Sequence, residues 1–268
     1  MKNKLVKSFE FSTSEAAWAG LNRYFITREE EIVERGGVRA GTQMISHNIF
    51  LKIRKAYIDP EFDFGYMFGY KKQKWTRLIA NYVNLNYLDL VKAEVLSRES
   101  KNQANYNVSF IFDNAHVTGH GCLINLTFIR RSKQMYPILQ FTLRSSEITK
   151  RLIFDFLLIQ RMGEYVLGEN KHFAVEVFLP NSFTTCEGVV MMDNYFNISK
   201  LHSKRLKDGK VIGPFFNKTL AILDKFKNVD VDSIRYKVHQ RSVKQLQKIE
   251  GVPISNTPHL KVKDLFIN

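Results

Sequence analysis

Cysteine is close to absent from this sequence: Cys122 and Cys186 are the only two among 268 residues. Two thiols without a Cys-x-x-Cys spacing are too few for a disulfide framework and argue against a structural zinc site. Reduced cysteines in a reducing compartment are expected. Long apolar runs are missing as well. None approaches the roughly 20 residues that a membrane span needs. The opening stretch, Met1-Lys2-Asn3-Lys4-Leu5-Val6-Lys7-Ser8, lacks the apolar core of a secretory leader. A cytoplasmic location without a membrane partner is the expectation. Internal repeats and low-complexity segments are also lacking, which leaves a globular fold. Acid is the scarce charge: 26 Asp and Glu stand against 40 Lys and Arg, a formal net charge of +14.

What is present is ample material for a core. With 44% hydrophobic residues, 21 Phe and 11 Tyr, the chain can fill one large domain or two small ones. Positive charge gathers at its end, where residues 200 to 268 carry fifteen Lys or Arg against six Asp or Glu. Cations that neutralise phosphates release counterions, and so bind nucleic acid without reading its sequence. A merely solvated basic surface has the same composition, and charge alone leaves both readings open. The division expected is an α+β domain over residues 1–199 and a basic, partly helical extension over 200–268 packed on the same domain.

Periodicity supplies the elements. Ser14 can cap a first helix, with Glu15 in its first turn and Ala17, Trp18, Leu21, Tyr24 and Phe25 at helical spacing. An acid-rich stretch from Arg28 to Glu34 leads into Arg35-Gly36-Gly37-Val38-Arg39-Ala40-Gly41-Thr42. Its glycines, framed by two arginines, mark a loop able to approach a ligand closely or simply to turn the chain. Gln43 to Lys55 alternates as a strand, broken by Asp59-Pro60. Asp63 to Tyr70 reads as irregular, and Leu78 to Leu96 as one helix. Strands are expected from Val108 to Phe112, Cys122 to Arg130 and Tyr136 to Leu143, the last two joined by the hairpin-sized link Arg131-Ser132-Lys133-Gln134. A strongly apolar helix from Leu152 to Leu167 follows, then a strand from Phe173 to Leu179 stopped by Pro180. Two helices close the chain, Phe215 to Phe226 and Val231 to Ile249. The second gathers Arg235, Lys237, Arg241, Lys244 and Lys248, a candidate nucleic-acid face or an ordinary solvated one. This order, with incomplete βαβ alternation, predicts an α+β fold whose mixed or antiparallel sheet is packed by helices.

The feature richest in chemistry is Gly121-Cys122-Leu123-Ile124-Asn125-Leu126-Thr127-Phe128, followed by Arg144-Ser145-Ser146-Glu147. A thiolate adds to electrophilic carbon where cations or oriented donors favour it. A hairpin centred on Ser132 sets residue 122 opposite roughly residue 142 and brings Arg144 within reach. Against this, a cysteine at a strand start is more often a small buried hydrophobe. His116, His120 and Cys122 have a ligand-like spacing, but no clear fourth ligand accompanies them and no metal is expected. Tyr82, Tyr87 and Tyr106 could stack on bases, though aromatics beside apolar periodicity are more often core.

Gly-Cys opening one strand, with Arg-Ser-x-acid closing the next, resembles the thymidylate synthase and phage deoxycytidylate hydroxymethylase superfamily. The similarity extends outward from those two motifs. Arg35-Gly36-Gly37 through Thr42 is similar to the family's Arg-Thr-Gly-x-Gly-Thr phosphate loop, and Phe68-Gly69-Tyr70 to its Tyr-Gly pair. Leu88 to Leu96 matches the helix before its paired arginines, and the helix from Leu152 its buried helix, so residues 15 to 200 can be laid on the pattern. The resemblance implies a thymidylate synthase-like α+β fold and a homodimer joined back to back through its sheets. It implies one-carbon transfer to carbon-5 of a pyrimidine nucleotide, in nucleotide metabolism or phage DNA base modification. In that scheme Cys122 is the nucleophile that attacks carbon-6, Arg144 and Ser145 hold the phosphate, and Arg35 or Arg39 closes over it. Glu147 orients the folate donor, 5,10-methylenetetrahydrofolate, or assists proton transfer. Asp155 falls where the family keeps a pyrimidine-reading asparagine, and an aspartate there could accept a hydrogen bond from an exocyclic amine.

The sequence departs from that pattern at defined places. The family's paired arginines, donated across its dimer to the phosphate, would fall near Gln103 to Tyr106, where there is no arginine. Its ribose-contacting Asp-x-His-x-Tyr would follow Leu179, where this chain has Pro180-Asn181-Ser182-Phe183. Each lost arginine removes charge-assisted bonds of about 1.5 to 3 kcal/mol. Either the substrate differs, for instance a nucleotide inside a polymer held by the basic tail, or the activity has gone. Two functions therefore stand. One is a divergent pyrimidine carbon-5 methyl- or hydroxymethyltransferase, which needs Cys122. The other is a non-catalytic protein of the same fold acting as a nucleic-acid or protein-binding module, which needs the tail.

Overall fold

The computed structural model describes residues 6–27, 31–35, 41–101, 105–112, 122–132, 135–169, 171–192, 195, 221–226, 229–234 and 259–267. In chain order the elements are β1 (Lys7–Thr13), α1 (Ser14–Thr27), β2 (Glu31–Arg35), β3 (Gly41–Lys55), α2 (Phe64–Phe68), α3 (Lys72–Tyr82) and α4 (Leu85–Ser100). They continue with β4 (Tyr106–Ile111), β5 (Leu123–Arg130), β6 (Ile138–Leu143), β7 (Ser146–Glu147), α5 (Leu152–Leu167) and β8 (Ala174–Thr185). One open sheet runs β1-β3-β8-β6-β5-β4, with β2 added on β3 and β7 on β8. The pairs β1–β3, β6–β8 and β7–β8 are parallel and the rest antiparallel, so the sheet is mixed. Parallel neighbours cannot be joined by a hairpin, and here α1 crosses between β1 and β3 while α5 crosses between β6 and β8. This is the α+β fold with a mixed sheet packed by helices that the order of elements predicts.

Strand alternation decides which side is covered. Ile49, Leu51 and Ile53 of β3, Val175, Val177 and Leu179 of β8, and Leu139, Phe141 and Leu143 of β6 are buried in the core. Residues that alternate with them point to the second face, where Phe50, Ile138 and Phe178 are half-buried. α5 is the hub of the covered side. Leu152, Ile153, Leu157, Leu158, Ile159 and Met162 are all fully buried, which is why the sequence reads apolar around most of that helix. Gly163 marks its closest approach to the sheet: an added Cβ would meet the Phe173 ring and lie 2.8 Å from Leu139 Cδ2. Gly163→Ala is therefore expected to destabilise the fold by about 1 to 3 kcal/mol despite alanine's better helix propensity, read as a lower urea midpoint.

Several local expectations are corrected. The span from Leu78 to Leu96 is two helices, because the chain turns extended at Val83 and Asn84, and the Asn84 side chain accepts from Asn86 N to cap α4. The acceptor at the start of α1 is Thr13 Oγ1, which receives Ala16 N at 3.1 Å, rather than Ser14. Pro180 does not stop its strand. β8 continues to Thr185, and the ladder with β3 merely skips the step where Pro180 would face Asn48, a residue with φ of 53°. The periodicity does not reveal β1 or β2, and Asp63 to Tyr70, read as irregular, contains α2.

Residues 259–267 are stitched to this body. Buried Asp63 pairs with His259 Nδ1 at 2.7 Å and accepts Leu260 N at 3.0 Å. Arg161 of α5 donates to the carbonyls of Val262 and Leu265, and Trp75 of α3 to that of Phe266 at 3.1 Å. The segment thereby ties α3 to α5. Most of the two helices expected between Phe215 and Ile249 lies outside the described residues; 221–223 and 231–234 are helical. Among the described residues no helix is long and apolar enough to cross a membrane.

Candidate functional site

The β5–β6 hairpin brings the two sequence motifs together. Leu123 faces Leu143, and Arg144 N donates to Cys122 O at 2.7 Å, so Cys122 lies opposite Arg144. The offset from the simple hairpin expectation, which set residue 122 against roughly residue 142, is present along the whole ladder, where Ile129 already faces Ile138, and the bulge between Leu123 and Asn125 shortens it by one residue. On the other side of the cysteine, Cys122 N donates to Tyr82 Oη at 2.8 Å. Past Arg144 the chain leaves β6. Asn181 Nδ2 donates to Ser145 Oγ at 3.4 Å, and β7 pairs briefly with β8. α5 then begins at Arg151 and sets Asp155 in its first turn. Cys122, Ser145, Ser146 and Asp155 all line one cavity of about 520 Å³, with Tyr82 and Phe154 as neighbours.

Burial dominates the electrostatics of the acids. The Ser146 hydroxyl lies 3.5 Å from Asp155 Oδ2 and donates to it, yet burial pushes the Asp155 carboxyl up to about 7. Glu147 is buried and also raised, first by desolvation, although it accepts Lys150 N at 2.6 Å and Thr149 N at 3.4 Å. The turn that carries it is pinned from below, where Trp18 Nε1 donates to Thr149 O and the Thr149 hydroxyl to Asn22 Oδ1. Glu147 opens into a second cavity of about 420 Å³ beside Gly41, Thr42, Gln43 and Phe183. Tyr70, Lys74, Lys150 and Arg151 line both cavities, so the two adjoin.

The remaining wall of the larger cavity is cationic. α3 and the residue before it contribute Lys71, Lys74 and Arg77, and the start of α5 contributes Lys150 and Arg151. Lys150 is paired with Glu187 at 2.7 Å. Among the described residues, Lys71, Lys74, Arg77 and Arg151 have no carboxylate within ion-pair distance. The Lys74 stem is exposed, but its ammonium lies 3.4 Å from the centre of the Tyr70 ring. Burial first, then the neighbouring Arg151 and Lys150, lower the Lys74 amine to about 8.

Of the residues singled out in the sequence, Cys122, Ser145 and Asp155 meet in one cavity, and Glu147 lies in the adjoining one. Arg144 is exposed beside Cys122 across the ladder and does not line the cavity. Arg35 ends β2 opposite Gly41. The Arg35 side chain, Arg39, His116 and His120 lie outside the described residues, as do Arg235, Lys237, Arg241, Lys244 and Lys248. The cations of α3 are what sequence reasoning misses. Their signal is Lys71-Lys72-Gln73-Lys74-Trp75-Thr76-Arg77, where Lys71, Lys74 and Arg77 recur every third residue, along one helical face. Compared with known proteins, the chain matches no family model and no curated protein.

Proposed function

We propose that this chain is a divergent pyrimidine-nucleotide carbon-5 transferase with a thymidylate synthase-like fold and Cys122 as its nucleophile. The observation that carries the reading is the convergence of Cys122, Ser145 and Asp155 on one cavity of about 520 Å³, a volume in the range of small-molecule sites. The Cys122 thiolate adds to carbon-6 of the ring, and the carbon-5–carbon-6 π pair moves to carbon-5, which takes up the one-carbon unit. Loss of the carbon-5 proton accompanies cleavage of that unit's bond to the donor nitrogen, the donor leaving as an amine; water or a hydride from the donor would complete a hydroxymethyl or methyl group, and expulsion of the thiolate restores the double bond and regenerates the cysteine. Cations along the wall favour the thiolate over the thiol.

Asp155 reads the edge of the ring. One oxygen accepts from the exocyclic amine of cytosine, and in the neutral form the other donates to ring N3. Because burial holds this carboxyl near 7, the neutral form is populated at neutral pH. Affinity for dCMP is expected to fall as pH rises through about 7, measured by calorimetric titration from pH 6 to 8.5. An affinity that is flat over that range counts against the assignment.

The second cavity fits a folate-class donor. Gln43, 5% exposed, keeps its Oε1 without a hydrogen-bond partner, and Glu147 and the rings of Phe68, Tyr70 and Phe183 stand beside it. These are acceptors for ring N–H groups and surfaces for a heteroaromatic plane. Gln43, Glu147 and those rings would hold 5,10-methylenetetrahydrofolate, which supplies the one-carbon unit when bound. A homodimer accompanies the reading, formed through the sheet face that carries Phe50, Ile138 and Phe178; a monomer mass by light scattering would contradict it. The deciding assay is tritium release from carbon-5-labelled dCMP or dUMP in the presence of the folate. Release that disappears in Cys122→Ser supports the proposal, and no release from either nucleotide sinks it.

A further inference from the structure

The reading above leaves the phosphate end of the nucleotide without the paired arginines of the family it resembles, since none stands near Gln103 to Tyr106. Resting on that reading, we infer that Lys71, Lys74, Arg77 and Arg151 form, within one chain, a site for a ligand carrying two or more consecutive phosphate groups beside its pyrimidine.

Three observations carry this. The four side chains line the same cavity as Cys122 and Asp155. Among the described residues none of the four has a carboxylate within ion-pair distance, whereas Lys150 beside them is paired with Glu187; at longer range the buried carboxyls of Glu147 and Asp155 act on Arg151, and that of Glu147 on Lys74. Finally, two of them stand where helices ordinarily carry the opposite chemistry. Lys71 and Arg151 are the N-cap residues of α3 and α5, neither makes a side-chain cap, and α3 has no acid in its first turn. Helix N-termini are positive ends that favour Ser, Asp or bound anions, so cations placed there add repulsion until an anion arrives.

Charge matching then selects the ligand. A phosphate monoester brings at most about two negative charges. Four cations exceed that; a triphosphate brings about four charges and a single strand one for each successive phosphodiester, so several consecutive phosphates balance them. That chemistry has two sources, a deoxynucleoside triphosphate or the successive phosphodiesters of a single strand.

The test titrates the full chain with dCMP, dCTP and a short oligodeoxycytidylate at fixed salt. At least one of the latter two is expected to bind about tenfold or more tightly than dCMP, and the tighter of them identifies the source. Equal binding of all three overturns the inference. Arg77→Gln with Arg151→Gln, both at exposed positions where folding costs are small, should erase the preference and flatten the salt dependence. A preference that survives in that variant places phosphate binding on other residues and also overturns it. Cys122→Ser should keep the preference while losing tritium release. Preference without release in the wild type would thus reject the chemistry alone, and release without preference would reject this site alone.

Discussion

Cys122→Ser is expected to lower carbon-5 tritium release by a factor of about 10⁴ to 10⁶, the upper end being the cost of losing a covalent nucleophile elsewhere. A serine hydroxyl is not ionised at neutral pH, and the bases that line the cavity with it are a half-neutral Asp155 and a Lys74 amine that is mostly protonated at that pH. Two of the bonds that hold position 122 run from its backbone, N–H to Tyr82 Oη and C=O from Arg144 N, and neither involves the sulfur. Thermal stability should stay within about 0.5 kcal/mol of wild type, as for substitutions that leave packing intact. Nucleotide affinity should also persist, so the loss appears in kcat and not in binding. A serine variant that releases tritium at the wild-type rate would remove Cys122 from the mechanism.

The second large effect belongs to Asp155. Burial pushes its carboxyl up to about 7 from an ordinary value of 3.8, so between those values the native state keeps a proton that the unfolded chain has lost. Stability therefore falls as pH rises through that window, by about 1.4 kcal/mol per unit for one group. One side of the carboxyl faces the cavity, which trims the total to about 3 kcal/mol. Asp155→Asn keeps the shape and cannot ionise. Urea midpoints of the two proteins should coincide near pH 4 and diverge by pH 8, with the asparagine variant the more stable. A gap that does not change with pH would mean that the wild-type carboxyl is not held neutral. The same variant should shift selectivity from dCMP toward dUMP, because an amide presents a fixed donor and acceptor to a uracil edge.

How much of this was legible varies with the kind of signal. α5 reads correctly from Leu152 to Leu167 because it is buried on most sides and its apolar run is unbroken. β5 and β6 read nearly as well: β6 alternates against one covered face, and β5 buries Leu126 through Ile129 in succession. β1 does not, since as an edge strand it exposes Ser8, Glu10 and Ser12 and shows only a half-buried Phe9 and Phe11. The break between α3 and α4 is also hidden, because Leu78, Ile79, Val83 and Leu88 keep helical spacing across a turn set by the Asn84 cap. The candidate site divides the same way. Cys122 stands out through a local motif and Asp155 only through the position the resemblance assigns it, whereas Lys71, Lys74 and Arg77 look like any solvated basic helix until their neighbours are known.

The sequence by itself determined which residues are apolar and periodic enough to be buried, and hence most of the helices and strands and the mixed α+β class. Those signals are local, carried by residues a few positions apart. Only the tertiary structure decided that the thiol of one hairpin, the carboxyl of one helix and the cations of another share a cavity. That meeting follows from sheet order, from the crossover of α5 and from the 259–267 segment that ties α3 to α5. No spacing along the chain encodes those contacts, because they join residues far apart in sequence through packing.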